Sequence, residues 1–204
     1  MRYDFNLENR KSNHKKLLFQ IIITIVEVAV ILGIAYTITH YGLETFTVSG
    51  QDMMPTLENG DRILVNKLSY HLHSVKRNDV VIVKQSGAEH NYYSAERVVG
   101  LPGETVQIKD GILFIDGKKL EEKFDFPVME NGGLALEKIT LDSEEYFVLC
   151  DNRNNGEDSR NASVGNILKE NIVGKAWIRL NTVEFVKHID GFREKVLSGE
   201  KDGD

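Results

Sequence analysis

The sequence predicts an all-β domain carried behind one N-terminal transmembrane helix, with a short helix near its C-terminal end. Short runs of β-branched and aromatic residues recur along residues 43–180, separated by turn residues at close spacing, the pattern of a barrel or sandwich. Asp-Gly pairs at 110–111 and 116–117 mark tight hairpin turns within that pattern. Leu17 to Tyr36 is nearly unbroken Ile, Val, Leu and Ala, about 30 Å of helix, which matches a bilayer core.

Residues 1–16 hold five basic side chains (Arg2, Arg10, Lys11, Lys15 and Lys16) against Asp4 and Glu8. A basic flank ahead of the apolar run predicts a cytoplasmic N-terminus and an extracellular domain over residues 43–197, at the cell membrane. The competing reading is a cleavable signal peptide. The run is longer than the ~7–15 residues such a peptide uses, and no small-x-small cleavage site follows, so residues 17–36 read as a signal anchor. Glu27, mid-span, is either a polar handle for a partner helix or a protonated glutamate tolerated by a very apolar helix.

Strands are expected at Phe46-Thr47-Val48, Asp61 to Leu68, Asp79 to Lys84, Glu96 to Val99 and Glu104 to Ile108. Leu113-Phe114-Ile115, Tyr146 to Cys150 and Gly174 to Leu180 complete the set. Glu121 to Leu141 contains Pro127 and Gly132-Gly133 without sustained periodicity and reads as an inserted loop. Phe185, Ile189, Phe192 and Val196 recur at helical spacing, predicting a short amphipathic helix before a disordered tail at 198–204.

Charge and cysteine usage narrow the function classes. The chain carries a net charge of −6 over 204 residues, with 20 basic against 28 acidic residues after Glu27, which argues against a nucleic-acid partner. Cys150 is the only cysteine, so no intrachain disulfide exists, as suits a Gram-positive cell envelope. It ends the apolar run Tyr146-Phe147-Val148-Leu149 and reads as a buried structural thiol rather than a nucleophile. His71 and His73 would share one face of a strand, but two imidazoles alone seldom define a metal site. Asn161-Ala162-Ser163 is a glycosylation sequon by pattern only. No metal or cofactor is expected.

Four segments carry a recognisable order of residues. They are Ser49-Gly50-Gln51-Asp52-Met53-Met54-Pro55-Thr56-Leu57, Arg77-Asn78-Asp79-Val80-Val81-Ile82, Glu96-Arg97-Val98-Val99-Gly100-Leu101-Pro102-Gly103-Glu104, and Cys150-Asp151-Asn152-Arg153-Asn154-Asn155-Gly156-Glu157-Asp158-Ser159-Arg160. Taken together they resemble the type I (S26-like) signal peptidases. In that family the first segment reads Ser-Gly-x-Ser-Met-x-Pro-Thr, the second begins Arg-Gly-Asp (with Asn78 here in place of the glycine), the third begins Lys-Arg-Val, and the fourth reads Gly-Asp-Asn-Arg-x-x-Ser-x-Asp-Ser-Arg. The resemblance implies a signal-peptidase β fold in which a neutral lysine takes a proton from the attacking serine. Here Asp52 stands at the serine position and Glu96 at the lysine position.

A carboxylate cannot perform that addition, so no catalytic residue is expected. Three alternatives remain for the two acids: a shared-proton or solvated pair, an acid-dyad hydrolase, or a cation site. Asp52 and Glu96 are expected within hydrogen-bonding range, with Ser49 and Thr56 as donors to Asp52 and Ser159 as donor to Glu96. Arg97, Asp151, Arg153, Asp158 and Arg160 are expected to brace the surrounding loops through ion pairs. Ser49, Gln51, Met53, Met54 and Pro55 are the candidates for a peptide groove; for Phe46, Met53 and Met54 the readings are groove lining, contact with the membrane surface, or ordinary core packing. Loss of both dyad members resembles the non-catalytic accessory proteins of sortase-assembled pili, which implies pilin or sortase as partner. Two other functions stay open: an active leader peptidase with an atypical site, and a non-cutting binder of signal peptides.

Overall fold

The computed structural model describes residues 5–86, 91–122 and 124–186, and it divides into two units, Met1–Gly42 and Leu43–Asp204. In the first unit, α1 (Phe5–Gly42) is a single helix of 38 residues. Its stretch Lys16–Gly42 is long and apolar enough to cross a membrane. The threonines within it satisfy their own hydroxyls: Thr24 donates to the Gln20 carbonyl at 3.1 Å, and Thr37 to that of Gly33 at 2.8 Å.

Among the described residues, the second unit has twelve strands. They are β1 (Leu43–Thr47), β2 (Arg62–Asn66), β3 (Val80–Ser86), β4 (Asn91–Gly100), β5 (Thr105–Lys109) and β6 (Ile112–Ile115), followed by β7 (Lys118–Lys119), β8 (Ile139–Thr140), β9 (Glu145–Leu149), β10 (Ile167–Leu168), β11 (Ile172–Arg179) and β12 (Glu184–Phe185). Eight form an antiparallel sheet in the order β1-β2-β11-β3-β4-β9-β10, with β12 against β11; the other four run β7-β6-β5-β8. The all-β expectation therefore holds, and so do the two Asp-Gly turns. Asp110 and Gly111 (φ 50° and 72°) join β5 to β6, and Asp116 and Gly117 (φ 51° and 78°) join β6 to β7. Both residues of each pair adopt the left-handed backbone that a tight hairpin needs.

Strand alternation sorts side chains into three apolar clusters. On β3, Val80 and Ile82 enter one cluster with Met53, Leu57 and Ile63, while Val81 and Val83 enter another with Val98 and Val148. On β9, Phe147 and Leu149 turn instead to the third cluster, where Val106, Leu113 and Leu141 fill the space against the smaller sheet. Both faces of β3 and β9 are thus covered, which explains why these strands read as continuous apolar runs.

Three local expectations are corrected. Phe185 lies in β12, paired with Ile178, and not in a helix; the rest of the expected C-terminal helix and the 198–204 tail lie outside the described residues. His71 sits in a one-turn helix, α2 (Ser69–Leu72), and His73 just beyond it, so the two do not share a strand face. Residues 121–141 are mainly irregular as expected, yet Ile139–Thr140 adds β8 to the edge of β5.

Gly100 ends β4 where the sheets meet. A Cβ there would lie 2.7 Å from Val106 Cγ2, 2.8 Å from Leu141 Cδ1 and 2.8 Å from Phe147 Cβ. Overpacking of this kind costs about 1–3 kcal/mol. Gly100→Ala is therefore expected to lower Tm by roughly 3–10 °C in a domain of this size, read by thermal denaturation. An unchanged Tm would mean that the cluster yields without cost.

Candidate functional site

Between β1 and β2 the chain makes a series of turns that present Asp52. Gly50 N donates to Asn59 Oδ1 at 3.0 Å, and Leu57 N donates to the Met53 carbonyl at 2.9 Å. Met53 and Leu57 are buried in the first cluster and act as anchors. The loop after β9 holds the other side: Asn152 N donates to the Asp52 carbonyl at 2.8 Å, and Asn152 Nδ2 to that of Gln51 at 3.2 Å. The backbone of Asp52 is thus fixed by residues a hundred positions away.

Arg97 ties the four motif segments together. Its guanidinium is buried and donates from Nε to Asp151 Oδ1 at 2.6 Å and from Nη2 to Asp151 Oδ2. Nη2 also reaches Thr56 Oγ1 at 3.3 Å, and Nη1 reaches the Asn78 carbonyl at 3.1 Å. Asn78 has φ 70°, the left-handed backbone that favours the glycine of the family pattern and that asparagine tolerates. The Phe124 ring lies 4.7 Å from the guanidinium carbon. Arg153 pairs with Glu122 and lies 3.9 Å over the Phe126 ring, and Arg160 grips Asp158 through two 2.8 Å bonds. The bracing role expected of these arginines has its geometry here, with Glu122 as a partner that the motif does not contain.

The two acids sit differently from the expectation. Glu96, on β4, is 1% exposed. Its Oε2 accepts a hydrogen bond from Cys150 Sγ at 3.3 Å, and no hydrogen bond joins it to Asp52 or Ser159. The Ser159 hydroxyl instead accepts the Val148 amide at 3.0 Å, and Thr56 donates to Asp151 rather than to Asp52. The Thr56 donor is thus taken by the ion pair of the frame, and the Ser159 oxygen caps the backbone of β9. Burial pushes the Glu96 carboxyl well above the usual range, and Asp158 and Asp52 push it further. Asp52 is also raised, by burial and by the neighbouring carboxylates of Glu157 and Asp158. Burial drives the Cys150 thiol up too, so it is a neutral donor and not a thiolate. Among the described residues no group of three His, Cys, Asp or Glu side chains is arranged to hold a metal ion.

Asp52 opens onto a groove of about 560 Å³. Of the groove candidates, Ser49 and Met53 line it, as does Phe46; Gln51, Met54 and Pro55 do not. Sequence reasoning missed Gln85, Tyr92, Tyr93 and Ser94 on the β3–β4 wall and Glu157 at the acidic end. The signal was present, since a period of two puts Tyr92 and Ser94 on the Glu96 side of β4. Tyr92 donates to Gln85 Oε1 at 2.5 Å and Gln85 Nε2 donates to Ser94 Oγ at 2.9 Å, which sets this wall rigidly.

The comparisons agree with this frame. Residues 21–181 match the family described as signal peptidase, peptidase S26. Signal peptidase I T of Bacillus subtilis (strain 168) is 38% identical over 154 residues, covering 72% of this chain and 77% of that protein. Signal peptidase I of Bacillus licheniformis is 36% identical over 174 residues, covering 82% and 90%. A crystal structure of signal peptidase I from Enterococcus faecalis V583 overlaps half of this chain and 97% of its own, at 27% identity and a TM-score of 0.41. By the extent of the sequence matches, the chain belongs to the signal peptidase family, peptidase S26.

Proposed function

We propose that the chain is a catalytically inactive, membrane-anchored signal peptidase homologue whose groove grips an extended peptide without cutting it. In this reading it assists sortase-dependent pilus assembly, presenting pilin or engaging the sortase, with its N-terminus cytoplasmic and its β unit outside. The observation that carries the proposal is the chemistry at two positions. A carboxyl stands at Asp52 in place of a hydroxyl, and a buried acid stands at Glu96 in place of an amine. Among the described residues, none that lines the groove is a lysine. Strand edges beside this groove, lined by Phe46, Val48, Met53 and Ala95 together with polar groups, still suit an extended peptide, which would add as a further strand. The pilus role rests on the resemblance of chains altered at both dyad positions to pilus accessory proteins.

The names of the curated relatives favour a second reading, an active leader peptidase using an atypical site. It would have to draw a nucleophile from Asp52 or from a hydroxyl with no amine beside it. Losing the nucleophile of a serine hydrolase costs on the order of 10⁶ in rate.

The state of Glu96 has a consequence for stability. Below its ordinary value near 4.5 the group is protonated in folded and unfolded chains alike. As pH rises above that value, the unfolded chain releases the proton while the folded chain keeps it, so stability falls until the folded group also ionises. Asp52 contributes in the same direction and more weakly, because it is partly exposed.

Glu96→Gln is expected to flatten this slope, raising Tm by at least about 3 °C at pH 8 and little at pH 4.5; about 1 kcal/mol moves Tm by roughly 2–4 °C here. A parallel loss at both pH values would show that Glu96 is not held neutral. Full-length protein incubated with a secreted precursor at neutral pH is expected to leave it uncut, about 10⁶-fold below an active relative. Processing that disappears in Asp52→Ala or Glu96→Ala would establish the leader-peptidase reading instead. Immobilised full-length protein is expected to retain pilin or sortase. Retention of uncleaved leader-bearing precursors alone would make it a decoy binder. The double variant Asp52→Ser/Glu96→Lys is expected to stay about 10²-fold below an active relative, the scale of a ~1 Å misplacement. Full turnover would show the changes at Asn78, Cys150 and Gly156 to be incidental.

A further inference from the structure

We infer that the peptide held in this groove carries a basic side chain, seated against Asp52 and Glu157, an assignment that rests on the peptide-gripping reading above. The groove is the starting point. Among the described residues, its lining contains two carboxylates, Asp52 and Glu157, and no arginine or lysine. Neither carboxylate has a hydrogen-bond or ion-pair partner among the described residues. The cations packed behind it are already committed: Arg97 to Asp151, Arg153 to Glu122 and Arg160 to Asp158. Glu96 is closed off beneath the floor, hydrogen-bonded to a neutral thiol. The negative charge left facing the groove therefore has no internal counterpart, and an occupant can supply one.

The walls fit the rest of such a side chain. Phe46, Tyr92 and Tyr93 line the groove, and the two tyrosines are 43% and 51% exposed. Aromatic faces take the methylene stem of a lysine or arginine and attract its cationic head. The Tyr92–Gln85–Ser94 chain of hydrogen bonds fixes Tyr92, so this face is set before a ligand arrives. Asp52 itself is held by the Asn152 amide through its carbonyl, which leaves the carboxylate free to pair. A basic residue in the groove would favour the ionised Asp52 carboxylate, against the burial and the acidic neighbours that raise its pKa.

The test uses full-length protein in lipid nanodiscs and a fluorescently labelled extended peptide whose central residue is lysine, norleucine or glutamate. By anisotropy in dilute buffer, the lysine peptide is expected to bind about 10-fold tighter than the norleucine peptide, and the glutamate peptide weakest. The preference is expected to shrink in about 0.5 M salt, as surface charges are screened, and to disappear in Asp52→Asn/Glu157→Gln. Equal binding of all three peptides, or none by the lysine peptide, overturns the inference. Ser49→Trp, at an exposed lining position, separates this failure from failure of the groove itself. If it abolishes binding while the three peptides bind the wild type equally, the groove stands and the basic residue falls. If it leaves lysine-peptide binding intact, the ligand is held elsewhere and both fall.

Discussion

The buried pairing of Arg97 with Asp151 is the constraint on which the site depends. One guanidinium collects a carboxylate from the loop after β9, a hydroxyl from the turn after β1 and a carbonyl from the turn before β3. Removing either charge would leave its partner buried and uncompensated, a loss of about 3–5 kcal/mol. Replacing a groove residue asks nothing of this kind. The frame and the chemistry are therefore separable: every partner of Arg97 lies outside positions 52 and 96, so both can change while the loops stay where they are.

That separation explains how a buried glutamate is tolerated at position 96. An ionised carboxylate in the interior costs several kcal/mol, whereas a protonated one needs only hydrogen-bond partners. Cys150 supplies a soft one, and the neighbouring acids bias the group toward its neutral form. An acid can thus occupy the position without a counter-cation, at the expense of stability as pH rises. The same neighbours leave the outer part of the cluster electronegative. Where the family pattern has a lysine this chain has a buried acid, and Asp52 and Glu157 face the groove.

The parts of the structure that were legible in sequence are those set by local chemistry. Asp-Gly pairs fix hairpins through backbone sterics at two residues, and the apolar runs of β3 and β9 announce strands covered on both faces. The ion-pairing residues could be named because the motif holds them, but the partner Glu122 could not, since it lies in an irregular segment. Thr56 and Phe185 depart from expectation for one reason. Each has a neighbour close in sequence or motif and a better partner brought by the fold, Asp151 and β11 respectively. The aromatic wall at Tyr92 and Tyr93 was missed because it precedes the family segment that begins at Glu96.

Positions 150 and 156 show that the altered site is repacked, and is more than an old site with two letters changed. Where the family pattern has glycine and then serine, this chain has cysteine and then glycine. A Cβ placed on Gly156 would lie 2.6 Å from Cys150 Sγ, 3.0 Å from its Cβ and 3.3 Å from Asp52 Cβ. The thiol therefore fits only because position 156 has no side chain, and it fills the space between Gly156 and Glu96. A side chain at position 156 would meet both Cys150 and Asp52, and the Cys150 thiol meets Glu96. Changes in contact with one another do not act independently. A lysine at position 96 would meet a thiol where the family has only a hydrogen atom, so the amine would be displaced before it could serve a serine at position 52. The changes at these positions go together, and between Glu96 and Cys150 the chemistry is that of a buried neutral acid and a neutral thiol.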